Sequence, residues 1–583
     1  MFERLLEAAR KLEDASLLPD APELLLPAVP GEFSLEDIQN LAAEIHDKSD
    51  TTAILSAIYV ALRSNKFVTQ LNDDDDEYKA ILENVALQVG QMMVPVCSGA
   101  TFDEDSTNYT SLSHNGLLGL HIISLLLTLT PGGSLILPTR TLLSIIAFTN
   151  QDDPWTSSPS AGLAQSLLSN YFKNLPPPQA PQPTPSFLSR SIRDARGGRI
   201  PSEKTHKTEL ARFITEDVLT GFLRPIFAKS RSAAVTASGR PAAFPEPPSR
   251  YTQGDGFGGG ADDITVKKPW KYKQRYAVTV FEWSVENADT DLLQEHWPLY
   301  TPALLTLLDE PQPVSLKLRA LSIFRKFWRR CPEGLLSRTG LADVFEQAVF
   351  PTVLNLPSLT PEAESRDLLA AAYPALFDMA GLVDTDLETT ENESTSEQAK
   401  QQKSLQSKGF SEAQRKLLDK IVREGIMVGY HHAKQHIRLV DFFCQTLRRL
   451  VSGMGILSVK YLKDIVPMIS EILVDPFGTK YPPTLLSATH LLQAVLQTCW
   501  PRISHYCNEI IKIAMLCWLN IEDEDSFLAD DQAKTELKQQ LIRTVEMLSA
   551  IMTAAKLDMS ERVCPLVTKD PQLRSLFTTC EAR

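Results

Sequence analysis

The chain has 583 residues, more than one hydrophobic core can serve, so several domains or one elongated repeat array are expected. Apolar residues make up 43% and charged residues 22%, which excludes wholesale disorder. The formal charge of −14 argues against broad binding to DNA or RNA, which needs positive potential along the backbone, and suits protein partners.

Residues 1–175 read as an N-terminal helical region. "MFERLLEAARKLEDA" is amphipathic and lacks the long apolar core of a signal peptide. Ile38, Leu41, Ala42 and Ile45 form one stripe, Ile54, Leu55, Ile58 and Leu62 the next, and Ile81, Val85, Val89, Met92 and Val96 another. The acidic run Asp73 to Asp76 has no ligand spacing and reads as a solvated loop. Leu117 to Phe148 is the most apolar stretch. Pro131-Gly132-Gly133 and Arg140 cut it into two buried helices, each expected to be shorter than a membrane span. No membrane association is expected, and the location expected is cytoplasmic and nuclear.

Residues 176–268 shift to Pro and Gly and read as a largely flexible segment. "PPPQAPQPTP" has polyproline character, with Pro178 and Pro181 in a minimal PxxP spacing, and a stiff linker is the simpler account. Arg190, Arg193, Arg196 and Arg199 follow at three-residue steps. One embedded helix carries Leu210, Phe213, Ile214, Val218 and Phe222 and is expected to dock back on the repeats. The glycines from Gly254 to Gly260 lack a preceding strand and a following Lys-Ser/Thr, so they do not form a phosphate loop.

Residues 269–383 read as central HEAT-like repeats. Trp297-Pro298 marks a junction, Pro302 opens "PALLTLLDE", and Val314, Leu318, Leu321, Phe324 and Trp328 stripe the partner helix. Residues 384–408, rich in Glu, Thr, Ser, Gln and Lys, read as a disordered linker.

Residues 409–583 resume the repeats, and Leu457 to Asn520 shows the pattern best. Leu462, Ile465, Val466, Ile469, Ile472 and Leu473 share one helical face. Asp475-Pro476-Phe477-Gly478 reads as a stop followed by a turn, because Pro476 lacks an N–H and Gly478 tolerates positive φ. Leu485, Ala488, Leu492, Val495 and Leu496 stripe the next helix, which Trp500-Pro501 is expected to end. Ile503, Cys507, Ile510, Ile511, Ala514 and Trp518 stripe the third. None of these helices can bury its stripe alone, so the fold class expected is an all-α solenoid of degenerate HEAT-like helix pairs.

Chemistry is sparse. The eight cysteines form no CxxC pair, and several sit on apolar stripes, so neither a disulfide framework nor a zinc site is expected. His431, His432 and His436 lie close together, with His432 and His436 one helical turn apart. No HExxH and no further ligand accompanies them, so they read as a structural or partly exposed cluster. With no nucleophile elbow, phosphate-loop lysine or kinase signature, no catalytic residue, metal or cofactor is expected, and the chain reads as a scaffold.

Several ordered motifs go further: "HWPLYTPALLTLLDEPQPVSLKLRA" from His296, "LLSRTGLADVFEQAVFPTVLNLPSLTPE" from Leu335, the run from Val459 to Ile503, and "CWLN" from Cys517. Over roughly Trp297 to Asn520 the chain closely resembles the Tel-two-interacting protein two family, a subunit of the triple-T complex. The resemblance implies a non-enzymatic scaffold in a co-chaperone assembly that supports maturation and stability of phosphatidylinositol 3-kinase-related protein kinases. DNA-damage response and telomere maintenance would lie downstream. The partners it implies are the other Tel-two-interacting protein, bound directly and through the C-terminal repeats, then Tel-two. The heat-shock protein 90 chaperone machinery and the kinases would follow indirectly. Neither nucleic acid nor membrane is among them. Candidate contact residues on the Leu457–Asn520 surface are Lys460, Lys463, Tyr481, Arg502 and Tyr506, because Arg and aromatic side chains anchor interfaces. A HEAT-type transport or trafficking adaptor is the alternative on the same fold.

Overall fold

The computed structural model describes residues 2–10, 25–43, 51–64, 76–97, 109–129, 135–175, 208–230, 232, 234–236, 239–242, 268–309, 313–382, 409–523 and 531–577. Several sequence expectations lie outside these residues: the acids Asp73 to Asp75, the polyproline stretch, Arg190 to Arg199, Gly254 to Gly260, and the linker 384–408. Among the described residues the regular elements are all helical, and isolated bridge residues occur, as in the antiparallel pair Val235 and Pro241. The fold class is all-α, of HEAT-like helix pairs.

The chain forms two compact units, Met1–Asp309 with Arg330–Leu341, and Glu310–Arg329 with Ala342–Arg583. The block 269–383, taken from sequence as one set of repeats, is therefore divided between them. Its early helices pack with the embedded helix of the first unit, while its later ones are tied together around Asp378 in the second.

In the first unit, α1 (Glu3–Arg10), α2 (Leu35–Ala43), α3 (Thr51–Arg63), α4 (Asp76–Met93), α5 (Tyr109–Thr128), α6 (Thr139–Ile146) and α7 (Ser158–Asn174) stack by their apolar stripes. Ser157 opens α7 through a capping box with Ser160, which satisfies two otherwise orphaned N–H groups. Helix α5 corrects one expectation. It runs for 20 residues and is long and apolar enough to cross a membrane by length and composition. In this unit it packs on α3, α4 and α7, with Leu120, Ile122, Ile123 and Leu126 fully buried.

The embedded helix, α8, is continuous through Glu209–Arg212, Phe213–Leu223 and Arg224–Phe227, and it docks on α9 (Tyr276–Asn287) and α10 (Thr290–Asp309). Its middle section is a π-helix, which widens the repeat of the buried face to about five residues. Phe213, Val218 and Leu223 are buried at that step, as are Ile214 and Leu219. Thr220 Oγ1 donates to the Thr215 carbonyl at 2.8 Å, five residues back. Helix α10 overturns the expected Trp297-Pro298 junction, because both Pro298 and Pro302 lie inside it. Pro302 has no N–H to give the Pro298 carbonyl. Gly239, at φ +75°, approaches that carbonyl so closely that a Cβ there would lie 1.8 Å from its oxygen.

The second unit contains α11 (Val314–Arg330) up to Arg329, α12 (Leu341–Val349) from Ala342, α13 (Glu362–Ala380), and α14, continuous through Glu412–Lys420, Ile421–Met427 and Val428–Ala433. Then come α15 (Ile437–Met454), α16 (Leu462–Val474), α17 (Pro482–Ile503), α18 (Cys507–Glu522), α19 (Asp531–Ala554) and α20 (Ser560–Lys569). Helices α13, α15, α17 and α19 pack in series as one row, and α16 packs on α18 in the other. The stripe predicted for α16 is buried, with Leu462, Ile465, Val466, Ile469, Ile472 and Leu473 each under 9% exposed.

Candidate partner-docking edges of the C-terminal unit

Helix α15 ends at Gly455, whose φ of 56° with ψ of −131° is open to glycine and strained for other residues. The chain then coils through the 3-10 turn Gly455–Tyr461 before α16 begins. Ser458 Oγ lies 3.2 Å from Cys499 Sγ, which fixes this turn against the last turns of α17. Ile456 (55% exposed) and Leu457 therefore reach the same end of the helices as Trp500 (59% exposed). These three apolar side chains form the first edge.

Four of the five sequence candidates fall at this end. Lys460 closes the 3-10 turn, Lys463 lies in the first turn of α16, Arg502 in the last turn of α17, and Tyr506 caps α18. Lys460 is committed within the unit: its Nζ lies 2.9 Å from Asp419 Oδ1 and 4.7 Å from the Tyr461 ring centroid. Tyr461 is buried and donates to the same Oδ1 at 3.0 Å, and Arg423 Nε reaches it at 3.2 Å. The Lys460 ammonium, with Tyr461 and Arg423, holds the Asp419 carboxyl below its usual range against the opposing effect of partial burial. Lys463 and Arg502 are exposed, and Tyr506 is half-buried.

The sequence expectation for Trp500-Pro501 is overturned. Pro501 stays inside α17, which continues to Ile503, and Trp500 is left 59% exposed. The signal was available in the spacing. Trp500 follows the exposed Gln497 by three residues, on the polar side of the stripe Leu492, Leu496, Cys499 and Ile503.

Tyr481 belongs to the opposite end of α16 and α17, so the structure divides the five candidates between two edges. Here Asp475 accepts the Phe477 N–H at 3.0 Å and starts a 3-10 turn, Pro476–Lys480. The stop and turn are where the sequence puts them, but Gly478 does not use the left-handed region that it tolerates. It is there for space, since a Cβ would meet Leu485 Cδ2 at 3.0 Å. Phe477 is left 64% exposed with Lys480 Nζ 5.3 Å from its ring. Thr484 Oγ1 donates to the Ile437 carbonyl at 3.3 Å, and His436 Nδ1 lies 2.9 Å from Glu362 Oε2. These contacts carry the second edge on through the exposed Ile437 toward Leu359 (84% exposed).

The histidine cluster is split by the same geometry. His431 and His432 face each other with ring centroids 5.7 Å apart, while His436 turns to Glu362. Among the described residues, no group of three or more His, Cys, Asp or Glu side chains is placed to hold a metal.

A match to the Tti2 family spans residues 141–480. The chain belongs to the Tti2 family. The Tti2 match begins well before Trp297, where the sequence resemblance was first legible, and takes in α6, α7 and the π-helical α8. It ends at the second edge, so Trp500, Arg502 and Tyr506 stand beyond it. No curated protein matches the chain. Among solved structures, the crystal structure of Kap121p aligns at 10% identity with a TM-score of 0.34, covering 97% of this chain and 47% of that one. The chain thus spans about half the length of that structure.

Proposed function

We propose that this chain is a non-enzymatic scaffold subunit of the triple-T complex, a co-chaperone assembly that supports maturation and stability of phosphatidylinositol 3-kinase-related protein kinases. Membership of the Tti2 family across residues 141–480 carries this reading. The all-helical repeats support it, since they offer an extended surface on a rigid frame. The direct partner is the other Tel-two-interacting protein, with Tel-two, heat-shock protein 90 and the kinases reached through it. The site of action is cytoplasmic and nuclear, on neither nucleic acid nor membrane.

The docking surface in this reading is the first edge of the C-terminal unit. Ile456, Leu457 and Trp500 supply apolar contact, and Lys463, Arg502 and Tyr506 supply its polar rim. The test is affinity capture of the full-length chain from its native cell, followed by mass spectrometry. Recovery of the other Tel-two-interacting protein together with Tel-two is the expected result. Recovery of transport factors in their place would overturn the proposal.

A further inference from the structure

Ser-Pro and Thr-Pro pairs are the sequence mark of proline-directed protein kinases. Proline has no N–H, so an apolar pocket for the residue after the acceptor takes it without leaving a donor unpaired. Among the described residues such pairs occur at Ser158-Pro159, Thr301-Pro302 and Thr360-Pro361. Their surroundings differ. Thr301 lies inside α10, is fully buried, and donates from Oγ1 to the Trp297 carbonyl at 2.9 Å. Ser158 opens α7 between Ser157 and Ser160, whose capping box spans it. A kinase cleft takes its substrate extended, so reaching either residue means unwinding a helix.

Thr360 stands outside the helices, in the turn between the 3-10 segment Phe350–Leu354 and α13. Leu359 and Thr360 both donate their N–H to the Leu356 carbonyl, at 2.9 and 3.0 Å, and the Thr360 carbonyl accepts from Ser365 Oγ at 3.2 Å. The Thr360 backbone is thus engaged, while its hydroxyl makes no hydrogen bond among the described residues. Its neighbours Ser358, Leu359 and Pro361 are exposed. Pro361 is the N-cap of α13, at φ −52° and ψ 145°, and no side chain caps the helix there. A proline also biases the residue before it toward extended backbone, the form that a kinase binds. Entering the cleft costs this segment turn hydrogen bonds and leaves α13 whole.

We propose that Thr360 is a phosphorylation site for a proline-directed protein kinase. Thr360 Oγ1 attacks the γ-phosphorus of a magnesium-bound nucleoside triphosphate, and the new O–P bond forms as the bond from that phosphorus to the β-phosphate oxygen breaks. The hydroxyl proton passes to the catalytic carboxylate of the kinase, and the nucleoside diphosphate leaves. The product carries a charge of about −1.5 to −2 at pH 7. It lies next to Leu359, the outermost apolar side chain of the second edge, so that edge turns from apolar to acidic there while the first edge is untouched. The uncapped start of α13 favours an anion through its dipole, with Glu362 and Glu364 of the first turn opposing. The inference rests on this turn and not on the family assignment.

The experiment incubates the folded full-length chain with magnesium ATP and purified proline-directed kinases, one mitogen-activated and one cyclin-dependent. Mass spectrometry follows phosphate at Ser158, Thr301 and Thr360. Synthetic peptides spanning the same pairs give the rates that the sequence alone allows. Relative to its own peptide, Thr360 in the folded chain is expected to be labelled at least ten-fold faster than Ser158 or Thr301. Pro361→Ala keeps the acceptor hydroxyl and is expected to lower the Thr360 rate at least ten-fold. Thermal unfolding checks that this variant is folded, and the same substitution in the peptide serves if it is not. A Thr360 peptide that takes no phosphate overturns the proposal. So does a folded chain in which Thr360 is labelled no faster than the other two, or an unchanged rate with Pro361→Ala.

Discussion

Lys460 Nζ and Asp419 Oδ1 stand 2.9 Å apart, joining the turn before α16 to α14 of the preceding pair. A cation selected from sequence as a partner contact is thus a tie between repeats, and Tyr461 and Arg423 share the same carboxylate. Because the Asp419 carboxyl is held below its ordinary range, first by Lys460, its contribution has a definite sign. It is fully present above the unfolded carboxylate pKa of about 4 and is lost as pH falls through the depressed folded value. Asp419→Asn should lower Tm at pH 7, and the gap from the unaltered chain should close in scans toward pH 3. The effect should be modest, because the pair is substantially exposed. A gap that persists at pH 3 would sink the assignment.

Two glycines of similar φ separate backbone strain from steric space. Gly239 and Gly334 have φ of +75° and +74°. A Cβ at Gly334 meets nothing within 4 Å, whereas one at Gly239 would lie 1.8 Å from the Pro298 carbonyl oxygen. Gly334→Ala should lose about 1–2 kcal/mol, the cost of a left-handed residue with a side chain. Gly239→Ala carries that cost and must also displace the turn from α10. Urea unfolding of the two variants should show Gly239→Ala to be clearly the less stable. Equal losses would mean that the turn moves away from Pro298 at no cost.

The apolar stripes were legible because helical period and burial answer to the same geometry, and every stripe residue named for α16 is buried. Helix ends at proline were not. Pro298, Pro302 and Pro501 all lie inside helices. Neighbouring helices hold these rods together across the missing N–H groups, so packing overrides the local breaker. The π-helical part of α8 was half legible, since Phe213, Ile214 and Val218 were named while the five-residue step to Leu219 and Leu223 was not. The partner candidates named from sequence fall at two ends of one stretch, because Tyr481 and Lys463 are separated by the length of α16.

Tyr373 presents the reverse of the usual buried tyrosine. It is 1% exposed, and its hydroxyl has no hydrogen-bond partner among the described residues. A Cβ on Gly425, in the π-helical part of α14, would lie 3.3 Å from that oxygen. Burying a hydroxyl without a partner costs about 1–3 kcal/mol. Tyr373→Phe keeps the ring against Phe377 and Phe442 and removes only the oxygen. It should unfold at the same denaturant concentration as the unaltered chain or a higher one. A loss of more than about 1 kcal/mol would instead reveal a hydrogen bond made by this hydroxyl, for example to bound water.

The two edges can be told apart by one pair of substitutions. Trp500 and Phe477 are both apolar and both well exposed, on opposite ends of α17. Replacing either by Glu removes little buried surface, so each variant should stay within about 0.5 kcal/mol of the unaltered stability. Binding should separate them. If the first edge docks the partner, Trp500→Glu places a charge in the centre of an apolar contact and costs about 2 kcal/mol or more, roughly thirty-fold in Kd. Phe477→Glu should then leave capture of the other Tel-two-interacting protein unchanged. The opposite outcome, capture lost with Phe477→Glu and kept with Trp500→Glu, would move the interface to the end where the Tti2 match stops, with Tyr481 as its polar neighbour. Measuring both variants by co-purification beside their unfolding curves distinguishes a lost interface from a lost fold, because a scaffold that has come apart loses both edges together.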